Sequence, residues 1–577
     1  MGNRFDEWEG ERWQARLRLY APVVLIYIGA LLCTGAAFMG DTVHYVNSVM
    51  ARIEGGYLHF WEFGHLLWRP LGWLAYKIFS PVTRLFVGAD TRYNVTFILI
   101  ALNWATGLLA ALALNCTLRR VCKREWVLIT ATAAFIFSNA FLDYIHAGCA
   151  YVPGLAFLLV GFAILTGGSG DIDNPRQQRQ PSVARGVWGG AALAVAIGFW
   201  FPYVLSVPAA LAAPLLLFGF TRARLKVSVA GALSFAVVAA LMYALVVLVG
   251  LGIRDLAGLK AWFTDASHGI TNMKGFSRSA FGFARSLIHM GDDGRIFKRF
   301  LIGDPFNPVS LWDLFRLGLW KFIFFYLFMG GLLLSLLRTP DGRRMFLLFV
   351  LNAVPMFVFA IFIFESGAIE RYLPLFPLIF LALAFALCSE RTPRAVKYLL
   401  LAYVAAATLA NLSVMAKPVL NRQKARAETR VKDLQPYLKP GSRVVTSHIQ
   451  DELVQYNQNF LFDPVNTANL TFSVVEPNSV LILTWRSRIA EQILPVWERG
   501  DDVWLSKRLL APRPRAEWNW VEGDDPRVSW THLYDYFRQL ELGQQVGDDD
   551  GFALLLPSEK NKNILRGYME QEKQVFR

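Results

Sequence analysis

Hydrophobic positions in this chain run on rather than alternate. Residues 227–250 and 345–364 pass with almost no charged side chain. A helix of about 20 apolar residues spans the hydrocarbon core of a bilayer. Such runs recur near 20–39, 93–116, 126–142, 148–166, 187–203, 204–220, 227–251, 311–336, 345–364, 372–389 and 398–415, which predicts eleven spans. Between the fifth and sixth, Pro202 and Pro208 mark either a tight turn or one kinked helix. The first run follows Arg12, Arg16 and Arg18 and reads as an uncleaved anchor with the N-terminus inside.

Two connections are long. Residues 40–92 contain two amphipathic helices, at 43–53 and 66–78, expected to lie along the membrane face. Residues 253–309 are rich in Gly, Lys and Arg, with Trp262, Phe276, Phe281 and Phe283 interleaved. After residue 417 the pattern changes. Strands are expected at 442–446, 479–484 and 552–556, and helices at 424–438, 528–542 and 559–572. The chain therefore divides into a polytopic α-helical membrane part, 1–416, and a soluble α/β domain, 417–577.

Composition agrees with this reading. Of 577 residues, 55% are hydrophobic and 18% charged, with a mean hydropathy of +0.36. Soluble domains carry about a quarter charged residues. A soluble enzyme, a disordered chain and a disulfide scaffold are all excluded. The net charge of +14 lies wholly before residue 417, because the part after it holds 22 basic and 22 acidic side chains. The short connections at 119–124, 176–185, 222–226, 338–344 and 391–397 are all basic, whereas those near 143–148, 201–203 and 365–371 hold a single Arg. This alternation is the positive-inside rule. It points to a membrane rather than to nucleic acid. It also puts both long connections and the C-terminal domain outside, as in a bacterial inner-membrane protein with a periplasmic domain. The five cysteines, Cys33, Cys116, Cys122, Cys149 and Cys388, show no paired spacing.

Ionisable residues on the outer side are the candidates for chemistry. Asp41 follows the first span, where it could act as a base or bind a metal, or simply cap the helix at 43–53. Asp143 ends the third span, and it could converge with Asp41 or be an ordinary loop acid. His44, His65 and His146 share that side, so Asp41, His44, Asp143 and His146 are candidate ligands for a divalent metal ion, although no ligand spacing specifies one. Glu365 and Arg371 stand between the ninth and tenth spans. Arg371 could take a phosphate, or pair with Glu370 to anchor the helix end. Arg69, Lys274 and Arg278 could also meet a phosphate, or snorkel to lipid headgroups.

Two stretches carry a resemblance. Asp41 is followed by Arg52-Ile53-Glu54-Gly55-Gly56-Tyr57 and then His65-Leu66-Leu67-Trp68-Arg69-Pro70-Leu71. Later comes Glu370-Arg371-Tyr372-Leu373-Pro374-Leu375-Phe376-Pro377. Together with the layout of residues 1–415, these resemble the GT-C superfamily of integral-membrane glycosyltransferases, which includes aminoarabinose transferases and protein O-mannosyltransferases. Trp68-Arg69-Pro70 departs from the family's small and Pro residues.

The resemblance implies a polyprenyl-phosphate sugar donor and a lipid, glycan or protein acceptor, with transfer expected to invert the anomeric centre. Asp41 would be the catalytic base and Asp143 a second acid that positions the acceptor or a metal. His65, Arg69, Lys274, Arg278, Glu365, Arg371 and Tyr372 would bind substrate. Arg371 would meet the leaving phosphate first, with Lys274 or Arg278 as second choice. The connection around residues 262–283 would be a mobile lid. A transporter or flippase of lipid-linked saccharides, and a non-catalytic partner in an envelope complex, are the competing readings. A transporter would call for inverted halves and charges buried mid-span.

Overall fold

In the computed structural model the described residues are 19–36, 41–56, 59–167, 182–265, 275–290, 295–419, 429–430, 433–439, 441–447, 471–473, 485–518, 520–522 and 528–575. They form two compact units. One comprises Met1–His289 and Lys321–Lys417, the other Met290–Trp320 and Pro418–Arg577.

Among the described residues, each of the eleven expected spans coincides with a helix. Seven are long and apolar enough to cross a membrane: Thr91–Leu118, Phe201–Phe218, Arg222–Gly250, Leu311–Leu337, Pro340–Ile363, Ile369–Cys388 and Arg394–Met415. The other four, Leu19–Cys33, Glu125–Ile136, Tyr151–Thr166 and Val183–Phe199, are shorter and apolar. The third is short because its run is broken. The helix ends at Ile136, Ser138 is extended, and a separate short helix, Asn139–Tyr144, follows. Between the fifth and sixth spans the structure selects the turn over the kinked helix. Trp200 is extended (φ −150°, ψ 110°), and Pro202 and Pro208 then sit in the first turns of the helices Phe201–Ser206 and Val207–Phe218. A proline costs nothing there, because the first-turn N–H groups have no helical partner.

Helix starts are written locally. Asp90 accepts from the N–H groups of Arg92 and Tyr93, Thr221 from that of Arg224, and Thr339 from that of Gly342. The fifth and seventh spans pack through glycine. A Cβ on Gly190 would strike the Gly231 carbonyl, and one on Gly186 the Val227 carbonyl. Such small residues let helix backbones approach where lipid provides no hydrophobic drive.

The connections after odd-numbered spans touch one another. The amide of Asn139 donates to the Arg285 carbonyl at 2.7 Å, and Arg285 to the Gly367 carbonyl at 3.2 Å. Two connections after even-numbered spans meet likewise: the sulfurs of Cys122 and Cys388 lie within bonding distance, with Cα atoms 6.0 Å apart, and Arg124 pairs with Glu390. At a sequence separation of 266, no spacing rule could have paired those cysteines. Both amphipathic helices form, as Thr42–Ile53 and Trp68–Val87, the second longer than expected. The expected lid is partly built into the body. Helix Phe276–Leu287 buries Ser279, Gly282, Phe283 and Ala284, and helix Leu256–Asp265 docks by Trp262, whose Nε1 donates to the Trp61 carbonyl at 2.7 Å.

The second unit carries a five-stranded sheet: β1 (Arg443–Thr446), β2 (Thr471–Ser473), β3 (Val503–Ser506), β4 (Leu542–Val546) and β5 (Phe552–Leu555), in spatial order β2-β1-β3-β5-β4. β1 is parallel to β2 and β3, whereas β5 is antiparallel to β3 and β4. Helices Trp485–Glu498 and Glu559–Val575 bury Ile489, Ile493 and Leu565 in a core with Trp518, Trp520 and Trp530. The expected strands at 442–446 and 552–556 are β1 and β5. The expected strand at 479–484 lies outside the described residues, as do 424–428 and 431–432 of the helix expected at 424–438; its residues 429–430 and 433–434 are helical and Gln435–Tyr437 is a 3₁₀ turn. Helix Trp485–Glu498 and strands β2, β3 and β4 were not expected.

Candidate active site

Asp41 stands immediately before helix Thr42–Ile53. Its carbonyl accepts the Tyr45 N–H at 3.1 Å, as an N-cap carbonyl should, but its side chain caps nothing. Instead its Oδ2 accepts the Tyr151 hydroxyl at 2.5 Å. The carboxylate is therefore held from the first residue of the fourth span.

Tyr151 is itself tightly placed. Its carbonyl accepts the Tyr203 hydroxyl at 2.7 Å. Its ring meets Tyr144, Trp200 and His65 edge-on, with centroids 4.9, 5.0 and 6.0 Å away. The connection before it has no regular structure to satisfy its carbonyls, so buried side chains do so. The Asn103 amide reaches the carbonyls of Tyr144, Ala147 and Cys149, and Trp68 Nε1 reaches that of Gly148 at 2.8 Å. The Gly148 N–H donates to Thr42 Oγ1 at 2.8 Å, and a Cβ at Gly148 would press on the Thr42 methyl. Only glycine permits that approach, which ties the third connection to the helix that Asp41 opens.

The other half of the site is the 3₁₀ segment Ile369–Leu375. Pro374 and Pro377 each remove a backbone donor there, and side chains take over. Asn352 and Ser206 both donate to the Pro374 carbonyl, at 2.8 and 3.2 Å. Glu370 Oε2 accepts the Tyr144 hydroxyl at 2.7 Å. Arg371 Nε lies 3.8 Å from Glu370 Oε1, and its Nη2 lies 3.8 Å from Glu365 Oε2. Its guanidinium carbon is 4.1 Å above Phe364 and 5.4 Å from the Trp200 ring. Arg371 is 8% exposed, and its Nε finds no hydrogen-bond acceptor among the described residues. Asp41 and Tyr151 are within its electrostatic reach. The two halves touch where the rings of Tyr144 and Tyr151 meet.

The remaining candidates fall differently. Asp143 is 1% exposed on the helix Asn139–Tyr144, within electrostatic reach of the Tyr144 hydroxyl. His65 is buried, its Nδ1 3.2 Å from the Phe199 carbonyl, and burial lowers its pKa to about 4. It is neutral at pH 7, with Nδ1–H directed at that carbonyl. Arg69 is 3% exposed and closely paired with Glu62, and its guanidinium lies 4.8 Å over Tyr45. That engagement, rather than an open phosphate contact, is what holds it. The Tyr372 hydroxyl donates to the Ser366 carbonyl at 2.7 Å and bonds Ser279 at 2.8 Å, so it braces the turn beneath Arg371. Arg278 is exposed on helix Phe276–Leu287, and Lys274 lies outside the described residues.

The metal candidates do not converge. His44 is exposed, and His146 Nε2 is 2.9 Å from Thr34 Oγ1, with burial lowering its pKa to about 4. Among the described residues no three His, Cys, Asp or Glu side chains gather as ligands.

Tyr144, Tyr151, Trp200 and Phe364 were not singled out as site residues. Tyrosine and tryptophan near the ends of spans are ordinary interfacial residues, so nothing in one sequence marked them.

No protein-family model matches this chain, and no curated protein matches it in sequence. Among solved structures, it is similar to the oligosaccharyltransferase of Archaeoglobus fulgidus in its apo form at 14% identity, with 95% of this chain and 75% of that chain covered and a TM-score of 0.47. It is also similar to ArnT from Cupriavidus metallidurans bound to undecaprenyl phosphate, at 11% identity, with 94% and 98% covered and a TM-score of 0.47. The apo state of the same ArnT gives 12% identity, 96% and 99% coverage and a TM-score of 0.47. At such identities and TM-scores the likeness assigns no activity.

Proposed function

We propose that the chain is a GT-C-type membrane glycosyltransferase, moving a sugar from a polyprenyl-phosphate donor to a lipid, glycan or protein acceptor on the outer face of the cytoplasmic membrane. One observation carries the reading. A buried guanidinium, with its Nε unbonded among the described residues, stands within electrostatic reach of a carboxylate held by a tyrosine hydroxyl. Arg69 and Arg299 also keep an unbonded nitrogen, but each has a closer partner, whereas both carboxylates beside Arg371 stand at 3.8 Å and leave its donors open. The partner for an open guanidinium is an anion, and phosphate fits its forked donors.

The residues then take simple roles. An acceptor hydroxyl or amine attacks the anomeric carbon, and Asp41 receives its proton. The bond from anomeric carbon to phosphate oxygen breaks, and the oxygen leaves with the electron pair. Arg371 stabilises the charge that gathers there. Trp200, Tyr151 and Phe364 exclude water and raise the local strength of these interactions. Asp143 would position the acceptor. No step requires a metal.

The orientation is supported by the basic connections at 119–124, 338–344 and 391–397. It puts Cys122 and Cys388 in the reducing cytoplasm, where the pair is expected as two thiols. A pair that stays oxidised in intact cells, as shown by thiol labelling only after reductant, would argue for the reverse orientation.

The deciding experiment incubates the detergent-purified protein with radiolabelled polyprenyl-phosphate sugars and membrane lipid acceptors. Label moving to the acceptor is the expected result. Movement of labelled donor across proteoliposomes without transfer would favour a transporter instead.

A further inference from the structure

We infer that Tyr151 and Tyr144 form a positioning device that sets the catalytic carboxylate at a fixed distance from the phosphate-binding arginine. This rests on the glycosyltransferase reading above and names residues that reading did not need. Each tyrosine gives its hydroxyl to a different carboxylate: Tyr151 to Asp41 Oδ2 at 2.5 Å, and Tyr144 to Glu370 Oε2 at 2.7 Å. Glu370 in turn lies 3.8 Å from Arg371 Nε. The two rings pack edge to face with centroids 4.9 Å apart and an interplanar angle of 76°. A continuous chain of contacts thus runs from Asp41 through two aromatic rings to Arg371.

Each link is independently fixed. The Tyr203 hydroxyl and the rings of Trp200 and His65 hold Tyr151. The Asn103 amide holds the backbone carbonyl of Tyr144. Aromatic rings are stiff, with two side-chain torsions, so a pair of them transmits position with little loss. Transfer needs the attacking atom and the leaving phosphate in line, and an error of about 1 Å can cost on the order of 10²-fold in rate. A carboxylate at the start of the long connection after the first span and an arginine on the segment between the ninth and tenth have no common backbone element to set their separation. The tyrosine pair sets it. By holding one oxygen of Asp41, Tyr151 also leaves the other for the acceptor proton.

Asp41 touches the reacting atoms in this reading, whereas Tyr151 acts only through it. A double-mutant cycle tests that difference. Tyr151→Phe removes one oxygen and should lower kcat about 10–100-fold, the size expected for a hydrogen bond to a charged group, with the donor KM little changed. In an Asp41→Asn background the same change should cost almost nothing more. Tyr144→Phe should act on the other half, raising the donor KM several-fold with a smaller effect on kcat. Equal losses from Tyr151→Phe in both backgrounds would reveal a merely structural tyrosine and overturn the inference.

Should Tyr151→Phe fail to fold, a fluorinated tyrosine at position 151 keeps the ring and the hydroxyl and alters only donor strength. A change in kcat is then expected, and an unchanged kcat overturns the inference. Full activity in Tyr151→Phe beside a dead Asp41→Asn overturns the inference alone. Full activity in Asp41→Asn overturns the base assignment on which it rests.

Discussion

Arg299 in the second unit and Arg371 in the first are 9% and 8% exposed, yet their donors are used differently. Arg299 gives its Nη2 to the carbonyls of Ala516 and Trp520, at 3.2 and 2.8 Å, and its Nε lies 3.7 Å from Asp304 Oδ2, an ion pair without a hydrogen bond. Asp304 in turn accepts the N–H groups of Phe306 and Asn307. That arginine pins loops to one another. Arg371 lies near two carboxylates, both at 3.8 Å and too far for a strong hydrogen bond, and against two aromatic faces. Its charge is balanced and its position fixed, but its hydrogen-bonding capacity is left open. Arg69 stands with Arg299, closely paired with Glu62 and sealed from solvent. Burial alone therefore does not mark a functional arginine. Nor does an unbonded nitrogen mark it, because Arg69 Nε and Nη1 and Arg299 Nε also lack an acceptor among the described residues. What sets Arg371 apart is that both its carboxylates stand at 3.8 Å, whereas Arg69 is closely paired and Arg299 bonds two carbonyls.

The largest expected effect comes from the carboxylate that depends on that open arginine. Asp41→Asn keeps the shape and removes the base, so transfer should fall by about 10²–10⁴-fold. Full activity in the purified variant would remove Asp41 from the chemistry. Arg371→Ala should follow, with kcat lowered by about 10²–10³-fold, as for loss of one group that stabilises a developing oxyanion. Arg371→Lys should recover only part of this, because an ammonium lacks the planar fork. Arg299→Ala should do the reverse. It leaves Asp304 without its cation and should cost about 3 kcal/mol of stability, while transfer per folded molecule stays near wild type. If Arg299→Ala lowered turnover without lowering the melting midpoint, the contrast between the two arginines would collapse.

Why the fold was readable and the site only partly so follows from the same physics. A bilayer leaves the backbone one choice within each apolar run, so run length and flanking charge were enough to place the helices. Where residues 126–142 break at Ser138, the signal failed. Apolar residues resume at Phe141 and Leu142, so the polar pair Ser138-Asn139 reads as an interruption within one span, although Ser138 is extended and its hydroxyl bonds back to the Phe135 carbonyl. Asp41 and Arg371 were legible because a charge beside a membrane span is costly and has few bland explanations. Tyr151 and Tyr144 were not, because interfacial tyrosines are common and their partners lie 110 and 226 residues away in sequence. The Trp-rich second unit was harder still. Its strands are three to five residues long, and β4 has only two apolar side chains, Leu542 and Val546, one at each end. Such strands depend on neighbours that a local pattern does not contain.

The smallest expected effect separates a histidine of the first connection from one of the third by pH. His65 and His146 are both buried, and burial lowers each from its ordinary value of 6.5 to about 4. Between those values the unfolded chain takes up protons that the folded one refuses. Each group's contribution is therefore fully present above pH 6.5 and is lost as pH falls towards 4. At pH 5 the loss is about 1–2 kcal/mol per histidine. The melting midpoint in detergent should drop between pH 7 and pH 5, a window above most carboxylate titration, and it should drop less in His65→Gln and in His146→Gln. The two variants should differ in activity. His65 packs on Tyr151, so its replacement should disturb the tyrosine that holds Asp41 and slow transfer several-fold. His146 contacts Thr34 and should leave the rate unchanged. Equal rates in the two variants would mean that the ring contact at 6.0 Å does no positioning, and that Trp200, Tyr144 and the Tyr203 hydroxyl alone hold Tyr151.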